Sequence, residues 1–371
     1  MAHPLDEYPI HQVPLSMAYP GTSDRNFYDR CIYHAHDRTG EIELITGLGV
    51  YPNLGVIDAY ATVRRGDRQV AVRMSDALTD DRMSQAVGPY RLEVIDPLRS
   101  LRIVCEGGEF GLAFDLTFNA AFAPHDEPQH VKRTGPKVIL DASRYCQVGS
   151  WEGTLVVEGD EYAVTPDRWI ATRDRSWGIR PVGEPDPPGR TAAEPPAFGM
   201  WWLWIPLRFD DFTVVVILEE GPDGVRTMND AVRYWADGSG RAPEQLGWPE
   251  VDIAYRSGSR WPEHATLHLV GRDRRPLTLE IEPLMGIPLN VGCGYGADPD
   301  WTHGLWKGRG HVSGSVYDHN DPTVAGRLPF TLVDHVARAT LDGQQGWGIF
   351  EHGSLGRHDP SGMADFSSVA P

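Results

Sequence analysis

The stretch DRSWGIR at residues 174–180 decides the fold prediction, because a similar stretch, GWGIFEH at residues 346–352, closes the second half of the chain. An alternation of apolar and polar residues precedes each of them, at 151–157 before the first and at 310–317 before the second. A period of two is typical of a β-strand with one dry face. The two similar halves therefore indicate an internal duplication of a β-rich unit.

Short strand-like segments recur along the whole chain and are separated by Gly, Pro, Asp and Asn. Such spacing predicts a barrel or a sandwich. Pairs such as Gly66-Asp67 and Asp342-Gly343 are typical of hairpin turns between antiparallel strands. We therefore predict an all-β protein of two antiparallel barrels or curved sheets packed together, with short helices only at 78–86 and 229–236.

A chain of 371 residues is longer than one ordinary core requires and fits two domains. Residues 182–197 are too rich in proline to pair in a sheet, so they predict the connection between the domains. We expect an N-terminal β domain at 1–180, a proline-rich linker at 181–198, a C-terminal β domain at 199–358 and a flexible tail at 359–371.

The net charge of −18 disfavours nucleic acids and anionic membranes as partners. No apolar stretch approaches the roughly 20 residues that span a bilayer, and the N-terminus lacks the pattern of a signal peptide, so a cytoplasmic protein is expected. The four cysteines are isolated. The pair of histidines in His34-Ala35-His36 lacks a third metal ligand at a suitable spacing. The glycine-rich segment 292–296 lacks the preceding strand and following helix of a nucleotide-binding loop. Neither a metal nor any other cofactor is therefore predicted.

Asp174 and Arg175 form one candidate site beside Trp177. An indole that removes water from a carboxyl group raises the pKa of that group and makes it a proton donor near neutral pH. The structural alternative is that Asp174 pairs with Arg175 or Arg180 while Trp177 closes the end of a barrel. The sequence leaves both interpretations open.

Glu351 and His352, beside Trp347, form the corresponding polar pair of the second half. A carboxyl group and an imidazole are both able to orient or protonate a ligand, so the pair is a second set of catalytic candidates.

The segment Trp201-Trp202-Leu203-Trp204-Ile205 predicts a strand that is apolar on both faces. Trp202 and Trp204 share one face, and their indoles are suited to line a cavity for a flat or polyene-like ligand. Ordinary core packing is the alternative for each of them.

Tyr28 lies in a polar and aromatic cluster at 24–30 that predicts an ion-paired loop over a barrel end. Its alternative role is to face a ligand, which makes Tyr28 a binding candidate together with Trp177 and Arg180.

The chain resembles the two-domain, lipocalin-like superfamily that contains carotenoid 1,2-hydratase (hydroxyneurosporene synthase), the AttH-like proteins and the lipocalin-like Diels-Alderases. The resemblance rests on the Asp-x-x-Trp-Gly pattern of Asp174, Trp177 and Gly178 and on the aromatic strand that follows it. The DRSWG form is similar to that of an uncharacterised branch. Arg175 replaces the histidine usual in the hydratases, and the next strand offers indoles instead of a catalytic aspartate, so the resemblance does not predict carotenoid hydration itself.

The resemblance implies two lipocalin-like β domains with an apolar cavity between them. We expect a cofactor-free enzyme, a lyase or an isomerase/cyclase, that hydrates, dehydrates, isomerises or cyclises an apolar isoprenoid-, steroid- or polyketide-like molecule. The alternatives are a non-catalytic, lipocalin-like carrier of such a molecule and a scaffold filled by its own tryptophans. The expected partner is the apolar ligand, and a homo-oligomer is compatible with the sequence.

Overall fold

A computed structural model describes residues 3–187, 198–236, 238–296, 298–328 and 331–371. Within these ranges, no helix has the length and apolar character needed to cross a membrane.

Almost all regular structure in the described residues is β-strand. The strands are β1 Phe27–Asp37, β2 Ile42–Tyr51, β3 Val56–Arg65, β4 Arg68–Ala77, β5 Ala86–Val87, β6 Tyr90–Asp96, β7 Ser100–Cys105, β8 Leu112–Ala120, β9 His125–Asp126, β10 His130–Thr134, β11 Lys137–Val157, β12 Asp160–Val164, β13 Trp169–Ile179, β14 Gly199–Arg208, β15 Phe212–Glu220, β16 Arg226–Trp235, β17 Glu244–Gln245, β18 Glu250–Tyr255, β19 Pro262–Val270, β20 Pro276–Pro288, β21 His311–Asp318, β22 Val333–Leu341 and β23 Gln344–Gly356. The helical turns are α1 Pro322–Ala325 and 3₁₀ segments at Pro4–Glu7, Gly108–Phe110 and Asp359–Ser361.

The strands form two antiparallel sheets, and the order of the central strands is equivalent in both. The first sheet runs in the order β21-β4-β3-β2-β1-β13-β11-β8-β7-β6-β5, with β9, β10 and β12 paired to β11. The second runs β17-β16-β15-β14-β23-β22-β20-β19-β18. In each sheet the last strand of the half, β13 or β23, pairs with the first strand, β1 or β14. The prediction of an all-β protein with two curved, lipocalin-like antiparallel sheets is confirmed.

Individual residues of the two halves occupy equivalent positions in the pairing of the strands. Asp174 lies opposite Ile32, the sixth residue of β1, and Glu351 lies opposite Trp204, the sixth residue of β14. Asp174 and Glu351 therefore occupy equivalent positions in the two sheets.

The two Trp-Gly pairs, which suggested the repeat in the sequence, are not equivalent. Gly178 pairs with Tyr28 near the start of β1, whereas Gly348 pairs with Leu207 near the end of β14. The equivalent strands are therefore matched by their pairing partners and not by their Trp-Gly motifs.

Two local expectations are wrong. Of the helix expected at 229–236, residues 229–235 are part of β16, because this segment pairs with β15 and buries side chains such as Ala231 and Val232 on both faces. Residues 78–85, also expected to be helical, form an irregular connection before β5.

The expected domain boundaries stay a prediction, and three contacts bear on them. Of the expected linker, residues 188–197 lie outside the described residues, while Gly183 donates its backbone N–H to the His303 carbonyl at 2.7 Å. Strand β21, from the range expected to form the C-terminal domain, pairs with β4 of the first sheet. In the tail expected to be flexible, Ala370 exchanges backbone hydrogen bonds with Gly258 and Ser259.

Each sheet encloses its own core, and a third apolar cluster lies between the sheets. Trp151 and Phe118 are fully buried in the first core, and Leu203 is fully buried in the second. Trp202 and Trp204 point the other way and pack in the cluster between the sheets. The alternation predicted for this strand therefore places both indoles where the two sheets meet.

We predict that Gly178→Ala destabilises the protein more than Gly135→Ala. Both glycines have positive φ, but a Cβ at Gly178 would lie 2.0 Å from the Asp141 carbonyl oxygen, whereas a Cβ at Gly135 would meet no atom within 4 Å. The clash adds to the backbone strain, so the excess loss should be about 1–3 kcal/mol by urea unfolding. Equal losses would contradict the assigned packing of β13.

Candidate active site between the two sheets

A cavity of about 160 Å³ lies between the two sheets; we call it the central cavity. Its wall combines apolar side chains with charged ones from both sheets, including Arg30, Ile32, His34, Arg144, Asp174, Arg180, Trp202, Trp204, Leu289, Tyr295, Leu332 and Glu351. A small number of polar groups in an apolar cavity is the usual composition of a small-molecule site.

Asp174 faces the central cavity from β13. Burial raises the pKa of its carboxyl group to about 6, and the nearby Arg144 guanidinium opposes this shift only in part. The Arg144 Nε lies 3.7 Å from the Asp174 Oδ2, which is an ion pair without a close hydrogen bond. Asp174 is therefore able to exchange a proton near neutral pH.

Glu351 faces the same cavity from β23, and its carboxyl group is coupled to that of Asp334 behind it. The two residues lie directly opposite each other on β23 and β22, a pairing that brings side chains together. Burial raises the pKa of Glu351 well above its usual range, and the neighbouring Asp334 carboxyl raises it further. Burial also raises the pKa of Asp334, to about 7. The pair therefore holds a shared proton, carried by Glu351.

The surroundings of Asp334 support this protonation state. His34 Nε2 lies 2.7 Å from Asp334 Oδ2, and burial lowers the pKa of His34 to about 4, so this imidazole is neutral. A neutral His34 with its proton on Nε2 donates to Asp334. The other oxygen, Asp334 Oδ1, is buried and has no donor among the protein's other groups in the described structure. A proton shared with Glu351 satisfies that oxygen.

The two indoles of the cavity wall are held by carboxyl groups. Trp202 donates its Nε1–H to Glu351 Oε1, and Trp204 donates to Glu127 Oε1 at 2.8 Å. Glu127 also accepts a hydrogen bond from Arg144 at 3.1 Å. Because these indole N–H groups are already bonded, a ligand in the cavity meets mainly their apolar ring faces.

The structure brings together five of the residues proposed from the sequence: Asp174, Glu351, Arg180, Trp202 and Trp204. Tyr28 is fully buried, and its ring lies beneath the guanidinium groups of Arg30 and Arg180 at 5.4 and 5.7 Å. It supports two cavity residues without lining the cavity itself.

The structure does not bring Arg175, Trp177 and His352 to the wall of the central cavity. Arg175 alternates with Asp174 along β13 and therefore points to the opposite face, where it pairs with Asp29 at 2.9 Å. Trp177 lies on that same face and is 41% exposed. His352 alternates with Glu351 and points into the second core, with its Nε2 3.0 Å from the Tyr255 hydroxyl.

Sequence reasoning missed Asp334, Arg144 and Arg30, and it assigned His34 only a weak metal-binding role. The expected pairing of Asp174 with Arg175 or Arg180 is replaced by Arg144, from the neighbouring strand β11. An available signal was Asp334 itself, a carboxyl group at the start of an alternating segment that ends near Leu341.

One family model covers nearly all of the chain. The model of a family of unknown function, DUF8625, matches residues 2–364. The chain belongs to this family. A search of curated protein sequences finds no match.

Solved structures share the fold at low sequence identity. A protein assigned as AttH from Nitrosomonas europaea has a TM-score of 0.54 and 13% identity, over 93% of this chain and 98% of that chain. Kievitone hydratase from Nectria haematococca has a TM-score of 0.49 and 13% identity, over 87% of this chain and 88% of that chain. A protein named CghA has a TM-score of 0.47 and 11% identity, over 89% of each chain. This DUF8625 chain therefore shares its overall fold with the AttH protein of Nitrosomonas europaea.

We predict that Asp334→Asn changes the pH dependence of stability. Folding raises the pKa of Asp334. The protonated carboxyl group therefore contributes fully to stability below the pKa that Asp334 has in the unfolded chain, and this contribution is lost as the pH rises to about 7. Asparagine does not ionise. The Tm difference between variant and wild type should therefore move in favour of the variant between pH about 4.5 and about 7.5.

Asp115→Asn is the matched control for this measurement. A hydrogen bond from Arg102 lowers the pKa of Asp115, so this carboxylate stabilises the fold above the pKa of the unfolded chain and loses that effect at lower pH. The Tm of the Asp115→Asn variant relative to wild type should therefore not increase as the pH rises. The same trend in both variants would contradict a raised pKa at Asp334.

Proposed function

We propose that this protein is a cofactor-free enzyme that moves protons to and from a small molecule held in the central cavity. The observation that carries this proposal is the placement of Asp174 and Glu351, two carboxyl groups from equivalent positions of the two sheets, in the wall of one cavity. Their environments keep them in different protonation states, which is how paired carboxyl groups divide the roles of acid and base.

Glu351 is the proton donor in this mechanism and Asp174 is the acceptor. For hydration, the Glu351 carboxyl gives its proton to one carbon of a double bond, while a water molecule adds to the other carbon and loses a proton to Asp174. Glu351 ends as a carboxylate and Asp174 as an acid, so a return of the proton completes the cycle. Dehydration is the reverse, and an isomerisation uses the same two transfers without water.

Asp334 and His34 position Glu351 and exchange no proton with the substrate in this mechanism. The neutral His34 donates a hydrogen bond to Asp334, and Asp334 accepts another from the protonated carboxyl group of Glu351 in the resting state. When Glu351 gives up its proton, two adjacent carboxylates remain, which is unfavourable in a buried site. That repulsion favours rapid reprotonation of Glu351.

The walls of the central cavity support an apolar substrate. Ile32, Leu289, Leu332 and the indole faces form its apolar part. A volume of about 160 Å³ is close to that of cavities that hold one benzene-sized group, roughly 150 Å³. We therefore propose that one ring or isoprene-sized unit of an isoprenoid-, steroid- or polyketide-like molecule reacts there.

The alternative is a non-catalytic, lipocalin-like carrier, which the same apolar walls favour. A carrier gains nothing from a buried carboxyl pair, which costs free energy to maintain. The proton held by Glu351 therefore favours catalysis over transport.

A substrate panel with carboxyl-to-amide variants tests the proposal. Purified protein is incubated with unsaturated and hydroxylated isoprenoids, steroids and polyketides, and products that gain or lose one water, or that isomerise, are detected by chromatography and mass spectrometry. Glu351→Gln and Asp174→Asn should each lower kcat by about 10²- to 10⁴-fold while ligand binding is retained. Asp115→Asn, on an exposed carboxylate paired with Arg102, should keep full activity.

The opposite result identifies a carrier. Such a protein would bind a member of the panel without converting it, and neither Glu351→Gln nor Asp174→Asn would alter the outcome. Full turnover in both variants would refute the assigned roles even if the protein is an enzyme.

A further inference from the structure

Arg30 and Arg180 lie together at the point where the central cavity meets a second cavity. The second cavity, of about 400 Å³, is lined by residues including Asn26, Val182 and His303. Arg30, Arg180 and Tyr295 line both cavities. The two guanidinium groups therefore face any molecule that extends from one cavity into the other.

Neither guanidinium group has a carboxylate within 4.0 Å among the residues that the structure describes, although Arg30 is only 7% exposed. Both instead lie over aromatic rings. Arg30 is 4.9 Å from the centre of the Tyr295 ring, and Arg180 is 5.7 Å from it. Burial and the positive charge of Arg30 lower the pKa of Arg180, which reflects the proximity of the two cations.

The other buried arginines of the described residues hydrogen-bond to acceptors, as Arg233 does to Glu244, Arg73 to Tyr317 and Arg173 to Gln147. The partly buried Arg144 and Arg226 lie 3.1 and 2.9 Å from the carboxylates of Glu127 and Glu220. Burying a charge without a partner is unfavourable, and two like charges side by side are more so. The Arg30 and Arg180 pair therefore has unused capacity for an anion that the described residues do not supply.

We propose that Arg30 and Arg180 bind a carboxylate group of the substrate. This inference rests on the proposed function, because it gives the substrate class of the same cavity: an amphipathic acid whose apolar part lies against Trp202 and Trp204. A guanidinium group matches the planar geometry of a carboxylate and binds it through paired hydrogen bonds.

The surrounding charge favours a carboxylate over a phosphate. The Asp174 carboxyl group lines the central cavity, and those of Glu184, Asp186 and Asp298 line the second one. A dianionic phosphate meets more repulsion from these acids than a monoanion does. One carboxylate also leaves the site with a net positive charge from the two arginines, which offsets Asp174.

Calorimetric titration with three matched probes tests the charge requirement. Cinnamate carries a carboxylate on a flat apolar group, cinnamamide is its neutral analogue, and cinnamyl phosphate carries a dianion. We expect cinnamate to bind to the full-length protein about tenfold or more tightly than cinnamamide, and more tightly than cinnamyl phosphate. Equal affinity for cinnamate and cinnamamide, or no binding of cinnamate, would overturn the proposal. Tighter binding of cinnamyl phosphate would overturn the choice of a carboxylate.

Variants of Arg180 and Arg175 test where cinnamate binds. Arg180→Gln should weaken cinnamate binding about tenfold or more, and Arg180→Lys should weaken it less, because the charge is kept but the paired hydrogen bonds are lost. Arg175→Gln is the matched control, since Arg175 points away from the cavity and pairs with Asp29. Circular dichroism verifies that each variant is folded. Unchanged affinity in folded Arg180→Gln, or an equal loss in Arg175→Gln, would overturn the location.

These titrations measure binding alone, so they separate this inference from the proposed function. If cinnamate binding fails the tests above while Glu351→Gln abolishes turnover of a panel substrate, only the carboxylate site is wrong. If cinnamate binds as expected while Glu351→Gln and Asp174→Asn retain full turnover, only the acid–base mechanism is wrong.

Discussion

The direct pairing of Asp334 with Glu351 across two neighbouring strands is the constraint on which the candidate site depends. Antiparallel register fixes the two carboxyl groups beside each other, and burial removes the water that would separate their charges. The pair avoids this repulsion by keeping a proton. Because Glu351 lines the central cavity and Asp334 does not, that proton is exposed to a ligand only through Glu351.

The repeat of the fold explains how a second carboxyl group reaches the same cavity. The first strands of the two sheets, β1 and β14, both contribute to the cavity wall, and Asp174 and Glu351 lie opposite the same position of these strands. The environments then differ. Asp174 has Arg144 beside it, whereas Glu351 has Asp334, so equivalent positions acquire different affinities for a proton.

Sequence reasoning identified the features that depend on alternation within one strand. The period of two placed Trp202 and Trp204 on one face, as the structure has them. Asp174 was singled out because Trp177 was expected to remove water from it, but Trp177 lies on the opposite face of β13, and the burial of Asp174 comes from the packing of the two sheets. The same alternation was not applied to Arg175 and His352, which adjoin the two cavity acids but point away from them. Contacts between strands far apart in sequence, such as Asp334 with His34, depend on register and on the packing of the sheets, neither of which the pattern of one strand encodes.

The inferred carboxylate site and the acid–base pair are coupled through Arg30. The positive charge of Arg30 lowers the pKa of Asp174, in opposition to burial. A substrate carboxylate bound to Arg30 would neutralise that charge and would add its own negative charge nearby, so the pKa of Asp174 would rise on binding. Binding of the anion therefore raises the affinity of the Asp174 carboxylate for a proton, and Asp174 becomes a stronger base only after the substrate is in place. A stronger base is of use only when the molecule from which it takes a proton is present. The arginine pair would then act both as an anchor for the substrate and as the group that adjusts Asp174 for catalysis.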